Sequence, residues 1–145
     1  MSARDTVTAG RNGGPRICVL TFPMRASSPG TLVLNLIQLL YPLCDRLWLV
    51  GGNLSPETHQ KASEFCIVLP AVGNPWIRNN GDKQLLMPWD GRISILDYIR
   101  AQTTLFVQSV KLVRHIDGVI VFIGAPHLVL QMAVFRVCGR KVIWY

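Results

Sequence analysis

Gly118-Val119-Ile120-Val121-Phe122-Ile123-Gly124-Ala125-Pro126-His127 is the stretch on which the fold turns. It opens an apolar, charge-free window over residues 118–135, long enough to raise the question of a membrane-spanning helix. Gly124, Ala125 and Pro126 break that window in its middle. Ahead of the break, Val119 to Ile123 are β-branched and aromatic, the residue types that fit a pleated strand. Beyond it a helix is predicted from near His127, with Gly139 as its C-terminal breaker. The stretch therefore reads as strand, turn and helix rather than as one span.

Working outward, the same signature recurs. Arg16-Ile17-Cys18-Val19-Leu20-Thr21-Phe22 is a continuous apolar run. Leu47-Trp48-Leu49-Val50 closes on Gly51-Gly52-Asn53, residues 64–69 stop at Pro70, and Val142-Ile143-Trp144-Tyr145 reads as a last strand. Strands without polar alternation are strands buried on both faces, which points to a parallel sheet. Helical spacing lies between them. Leu32, Leu36, Leu39, Leu40 and Leu43 follow Thr31, with Pro42 at the end. A short segment with Pro56, Glu57, His59 and Lys61 has room for one helical turn. Residues 93–116 give the clearest helix: Ile95, Ile99, Thr103, Phe106, Val110 and Val113 form the apolar stripe, with Asp97 early and Arg114-His115 late, as the helix dipole favours.

The predicted order is β-α-β-(short)-β-loop-α-β-α-β. It implies an α/β, Rossmann-like, mostly parallel sheet with helices on both faces and right-handed crossovers. Residues 1–15, with Gly10, Gly13, Gly14 and Pro15, read as a disordered tail, and residues 16–145 as one domain. The connection from Pro70 to Arg92 is long enough to suggest a functional or mobile loop. It carries Trp76, Trp89, Arg78 and Lys83, and with Arg92 this mix of aromatic and basic residues suits a membrane headgroup region, or a small satellite core.

Composition narrows the classes. The chain has 145 residues, of which 50 % are hydrophobic and 16 % charged, so a wholly disordered chain is excluded. Its net charge of +7 is scattered, with Arg140-Lys141 the one adjacent cation pair. Such charge suits solubility or attraction to anions such as sugar nucleotides, lipid phosphates or an anionic membrane face. No basic helical stripe, zinc spacing or RNA-binding aromatic signature argues for nucleic acid. Cys18, Cys44, Cys66 and Cys138 form no C-x-x-C pair, and each sits in an apolar stretch as a small buried hydrophobe would. The polar N-terminal residues lack the apolar core of a secretion signal, so a reducing cytoplasm is the expected compartment, with peripheral contact at the inner membrane face an open alternative.

Two loops carry the candidate chemistry. Phe22-Pro23-Met24-Arg25-Ala26-Ser27-Ser28-Pro29-Gly30-Thr31 joins the first strand to the first helix at the carboxyl edge of the sheet, where open α/β folds bind ligands. Ser28, Gly30 and Thr31 would bring backbone N–H groups to an anion at a helix start, and Arg25 would add charge. Gly124-Ala125-Pro126-His127 lies on the same edge. There His127 is a candidate general base toward a hydroxyl, or a donor to phosphate. Neither G-x-G-x-x-G nor G-K-[ST] occurs, which excludes the dinucleotide and P-loop fingerprints. No metal-ligand spacing is present, so no metal is expected. Arg92, Asp97, Tyr98, Arg100 and Gln102 read as a solvated helix face.

Three segments together carry a resemblance. They are Ser28-Pro29-Gly30-Thr31 leading into Leu34-Asn35-Leu36-Ile37, then Leu43-Cys44-Asp45-Arg46-Leu47-Trp48-Leu49-Val50-Gly51-Gly52-Asn53, and then Val121-Phe122-Ile123-Gly124 through Cys138-Gly139-Arg140-Lys141-Val142-Ile143. In order and spacing they resemble the N-terminal half of GT-B-fold glycosyltransferases, in particular the family 4 retaining enzymes. Many members carry paired glycines where this chain has Pro29-Gly30, and a His directly after the fourth strand where it has Ile123-Gly124. The resemblance implies an acceptor-side domain whose donor-binding C-terminal half, absent here, comes from further chain or a partner subunit. It implies hexosyl transfer to a glycan or lipid-linked acceptor, with a nucleotide sugar as co-substrate and no metal or other cofactor. Gly30 and its loop would approach donor phosphates or acceptor, Gly124 would line the cleft, and the domain alone would be inactive. The alternative is a stand-alone Rossmann-like nucleotide-binding or interaction module without catalysis.

Overall fold

A computed structural model describes residues 13–22, 29–51, 56–70, 95–122 and 125–144. Its strands are β1 (Arg16–Leu20), β2 (Arg46–Gly51), β3 (Ile67–Pro70), β4 (Gly118–Val121) and β5 (Lys141–Trp144). Its helices are α1 (Pro29–Leu40), α2 (Pro56–Ser63), α3 (Ile95–Leu112) and α4 (Val129–Val137). The strands form one sheet in the order β3-β2-β1-β4-β5, and every pairing is parallel. The fold is therefore α/β and Rossmann-like, as the uninterrupted apolar runs imply.

The two faces separate by residue parity along each strand. Cys18, Leu20 and Phe22 pack with Trp48, Val50, Val119 and Val121 under Leu105 and Leu112 of α3, Leu128 just ahead of α4 and Phe135 within it. Val19, Leu47 and Leu49 pack under Val33 and Ile37 of α1 and Ala62 of α2. Cross-strand register keeps each face in line: Val19 sits opposite Leu49 and Ile120, and Leu20 opposite Val50 and Val121. Because every strand points the same way, all carboxyl ends share one rim.

Several elements differ in extent from the sequence reading. The segment after Asn53 is an eight-residue helix rather than one turn, its Lys61 reaching Glu57 at 2.7 Å. The first helix begins at Pro29, earlier than Thr31, and Pro42 lies in a 3-10 turn at its end, Tyr41–Leu43. Residues 118–135 divide into β4, a 3-10 turn at Ala125–His127 and the start of α4. Among the described residues no helix is long and apolar enough to cross a membrane. Gly139 stops α4 with φ +74°, a left-handed geometry that favours glycine. Its N–H donates to the carbonyl of Arg136, and that of Arg140 to Phe135.

Two expectations are corrected. The buried face of α3 is formed by Ala101, Leu105, Ser109 and Leu112, whereas Ile95, Ile99 and Val110 are exposed. Small Ala101 and Ser109 let the helix lie close to the sheet, and the Ser109 hydroxyl is satisfied by the Leu105 carbonyl at 2.8 Å. Cys138 is exposed, unlike the buried Cys18, Cys44 and Cys66, because it falls in the turn that ends α4. Of the N-terminal segment only residues 13–15 are described, and the Pro15 carbonyl accepts a hydrogen bond from the N–H of Asp45.

Candidate functional site

The chain adds β2 and β3 to one side of β1 and then returns to place β4 on the other. The strand order thus reverses between β1 and β4, the position where open α/β sheets form a crevice at their carboxyl rim. Two rings meet there. Phe22 follows β1 and His127 follows β4, with centroids 4.7 Å apart. The ring of Tyr98, from the first turns of α3, stands 5.9 Å from Phe22 and edge-on to His127 at 6.1 Å.

A polar network surrounds these rings. Tyr98 Oη lies 3.2 Å from His127 Nδ1. Gln102, one turn along α3, donates from Nε2 to the His127 carbonyl at 2.8 Å and to Tyr98 Oη at 3.2 Å. Gln131 of α4 donates to Gln102 Oε1 at 2.9 Å. Gln131 is fully buried, and its own Oε1 has no hydrogen-bond partner. Partial burial pushes the His127 imidazole below its ordinary pKa, because the charged ring loses hydration. Beside the network, Tyr98, Ile99, Gln102, Thr103, Phe106 and Leu130 line a largely apolar groove of about 340 Å³.

On the opposite face of the same rim stands Thr21. It is fully buried, its Oγ1 has no hydrogen-bond partner, and its N–H extends the β1–β2 ladder to the Val50 carbonyl at 2.8 Å. Its hydroxyl occupies space that a side chain at residue 51 would need, which accounts for Gly51.

The sequence-predicted residues distribute as follows. His127 stands at the switch point, in contact with Phe22 from the first candidate loop. Gly30 and Thr31 lie in the first turn of α1, with Thr31 exposed. Arg25, Ser28 and Gly124 lie outside the described residues, as do Trp76, Arg78, Lys83, Trp89 and Arg92. Among the described residues no three His, Cys, Asp or Glu side chains converge on a metal-sized site. Tyr98 and Gln102, read from the sequence as a solvated face, belong to the network, while Arg100 of that set is exposed. Gln131 and Thr21 carried no functional reading. The signal for Gln131 was its spacing between Leu128 and Phe135, three residues on and four back along one apolar stripe. Compared with known proteins, the chain matches no family model, no curated protein and no solved structure.

Proposed function

We propose that this chain is the acceptor-side domain of a sugar-nucleotide-dependent glycosyltransferase of the GT-B type. The observation that carries the reading is the meeting of Phe22 and His127 at the β1–β4 reversal, 4.7 Å apart. It brings Phe22 and His127, the described ends of two segments singled out in the sequence, to the rim where a ligand in such a fold binds. In this reading the nucleotide sugar is held by a second Rossmann-like lobe, and hexosyl transfer takes place between the lobes. In this reading His127 faces the acceptor, and Tyr98 and Gln102 hold it at the rim. The adjoining groove gives apolar room for the lipid part of a lipid-linked acceptor, and Gly30 and Thr31, in the first turn of α1, would approach donor phosphate or acceptor.

The test is titration of the ¹⁵N-labelled chain with UDP-glucose, GDP-mannose and short oligosaccharide and polyprenyl-phosphate sugars, read by amide shifts. The expected result is weak binding of an acceptor glycan or lipid-linked sugar, with shifts focused on Phe22, Tyr98, Gln102 and His127. Tight binding of a nucleotide or nucleotide sugar by the chain alone would replace this reading with a stand-alone nucleotide-binding module. Shifts confined to the amino rim near Arg16 and Asp117 would overturn both.

A further inference from the structure

The helical layer formed by α3 and α4 turns a largely apolar face outward. On α3, Ile99, Val107 and Val110 are exposed, on the side away from the buried Ala101, Leu105 and Leu112. On α4, Leu130 and Val137 are exposed, Val137 to 87 %. The hydrogen bond from Gln131 to Gln102 joins the two helices, so these residues belong to one surface. The apolar groove opens in it, lined by Ile99 from one helix and Leu130 from the other. Trp144 on β5 is exposed as well, and it shares strand parity with Val142, which packs against the core beneath α3 and α4. Contiguous exposed apolar surface marks an interaction site, whereas single exposed apolar residues do not. The opposite layer differs: Leu32 and Leu39 of α1 are exposed, but α2 beside it carries the Glu57–Lys61 pair.

Charge indicates what covers this face. The sequences of α3, α4 and β5 hold one acidic residue, Asp97, against Arg100, Lys111, Arg136 and Lys141. Lys111 lies one helical turn on from Val107, Arg136 adjoins Val137, and Arg114 follows the end of α3; all three cations are exposed and form no salt bridge among the described residues. A second copy of the chain would carry the same excess of cations and offer them no anions. An anionic bilayer supplies both an acyl boundary for the apolar side chains and phosphates for the cations around them. We propose that the α3–α4 face is a membrane-docking surface that rests on an anionic lipid bilayer, with Ile99, Val107, Val110, Leu130 and Val137 at the acyl boundary and Lys111, Arg114 and Arg136 on lipid phosphates. The chain lies on the bilayer in this arrangement, and Trp144 suits the headgroup level. The groove then opens toward the acyl chains. The proposal stands on exposure and charge, apart from the glycosyltransferase reading, whose failure would leave it intact.

The test is co-sedimentation of the full chain with vesicles of phosphatidylcholine alone and of phosphatidylcholine mixed with phosphatidylglycerol. Binding to the mixed vesicles should be at least about tenfold stronger, as several cations at an anionic surface imply. Val110→Gln combined with Val137→Gln keeps the charge and removes apolar contact, and it should weaken that binding by about tenfold or more. Lys111→Gln and Arg136→Gln should each weaken it by about fivefold. Lys61→Gln removes the same charge from α2, across the sheet, where screening leaves an effect of less than about twofold. These positions are exposed, and circular dichroism checks that each variant is folded. Three results would overturn the proposal: no binding of the parent to mixed vesicles, face variants that bind as tightly as the parent, or a dimer in sedimentation velocity that Val110→Gln with Val137→Gln dissolves.

Discussion

The hydroxyl of Thr21 lies against the Cα of Gly51, and a Cβ built on Gly51 would fall within the space of that hydroxyl. The neighbouring atoms are less restrictive, since the Thr21 carbonyl and Cβ would lie at 3.3 and 3.4 Å from the new carbon. Gly51→Ala should therefore destabilise the chain by about 1–3 kcal/mol through overpacking. Most of that cost should vanish in the Thr21→Ala background, where the obstructing oxygen is gone. A double-mutant cycle by urea unfolding should give a coupling of at least about 0.5 kcal/mol. Additive effects would show that the two residues are not in contact in solution.

The same hydroxyl is buried without a hydrogen-bond partner. A buried unpaired polar group costs about 1–3 kcal/mol in desolvation, and an apolar group of the same shape does not bear that cost. Thr21→Val should accordingly raise the unfolding midpoint, by about 1 kcal/mol in stability at 25 °C. A loss of stability instead would mean that the hydroxyl is hydrogen-bonded at this rim in solution.

At the opposite rim, Asp117 binds the start of β1 to the start of β4. Its Oδ1 accepts from Arg16 Nη2 at 2.9 Å, and its Oδ2 accepts from the Arg16 backbone N–H at 2.9 Å and from Nε at 3.2 Å. The Arg16 guanidinium hydrogen bonds hold the Asp117 carboxyl down to about 2, helped by the Arg16 backbone N–H. An unfolded aspartate titrates near ~3.9. Because the folded value is the lower one, this contribution to stability is complete above about pH 4 and is lost as the pH falls from there toward 2. Asp117→Asn should flatten the acid limb of the stability curve over that window and leave the alkaline limb unchanged. The effect should be modest, because both side chains are nearly half exposed. An acid limb of unchanged slope in the variant would count against the pair.

Thiol reactivity should separate one cysteine from three. Cys18, Cys44 and Cys66 are buried, and Cys138 is exposed. Burial raises the thiols of Cys18 and Cys44, and pushes Cys66 up to about 12, so the reactive thiolate is scarce as well as shielded. Under native conditions a water-soluble disulfide reagent should modify one thiol per chain quickly and the other three only on unfolding. Cys138→Ser should abolish the fast phase. Two or more fast thiols in the folded chain would contradict the packing around β1 and the β3 entry.

What could be read from the residues in advance follows from which signals are local. Strands buried on both faces show as unbroken apolar runs, so the strands around Val19, Leu49 and Val119 are legible, and with them the parallel sheet, whereas the apolar run of β5 belongs to an edge strand on which Ile143 and Trp144 are exposed. Chain order alone also placed His127 on the rim that follows β1. The network was not visible, because Tyr98, Gln102 and Gln131 each look like ordinary helix polar residues until α3 and α4 are brought side by side. Thr21 sat inside an apolar run and passed for part of a strand, although its hydroxyl lies at the rim. The face of α3 misled for a physical reason: it carries two stripes at helical spacing. The larger residues, Ile95, Ile99 and Val110, suggested the core, while the small Ala101 and Ser109 are the ones that admit close approach to the sheet.

That reversal of the α3 face makes the most direct test of the packing. Leu105 is fully buried between the helix and the sheet, whereas Ile99 is 53 % exposed on the other stripe. Leu105→Ala removes core methyl groups and leaves a cavity, which costs about 2–5 kcal/mol. Ile99→Ala or Ile99→Lys changes a residue that is half in solvent, and such positions shift stability by about 0.5 kcal/mol or less. Chemical denaturation of the three variants should therefore show one large drop and two small changes, with the slope against denaturant unchanged throughout. If Ile99→Lys proves as damaging as Leu105→Ala, the stripe of Ile95, Ile99 and Val110 is covered in solution, and the helix is rotated from the orientation that brings Tyr98 and Gln102 to His127.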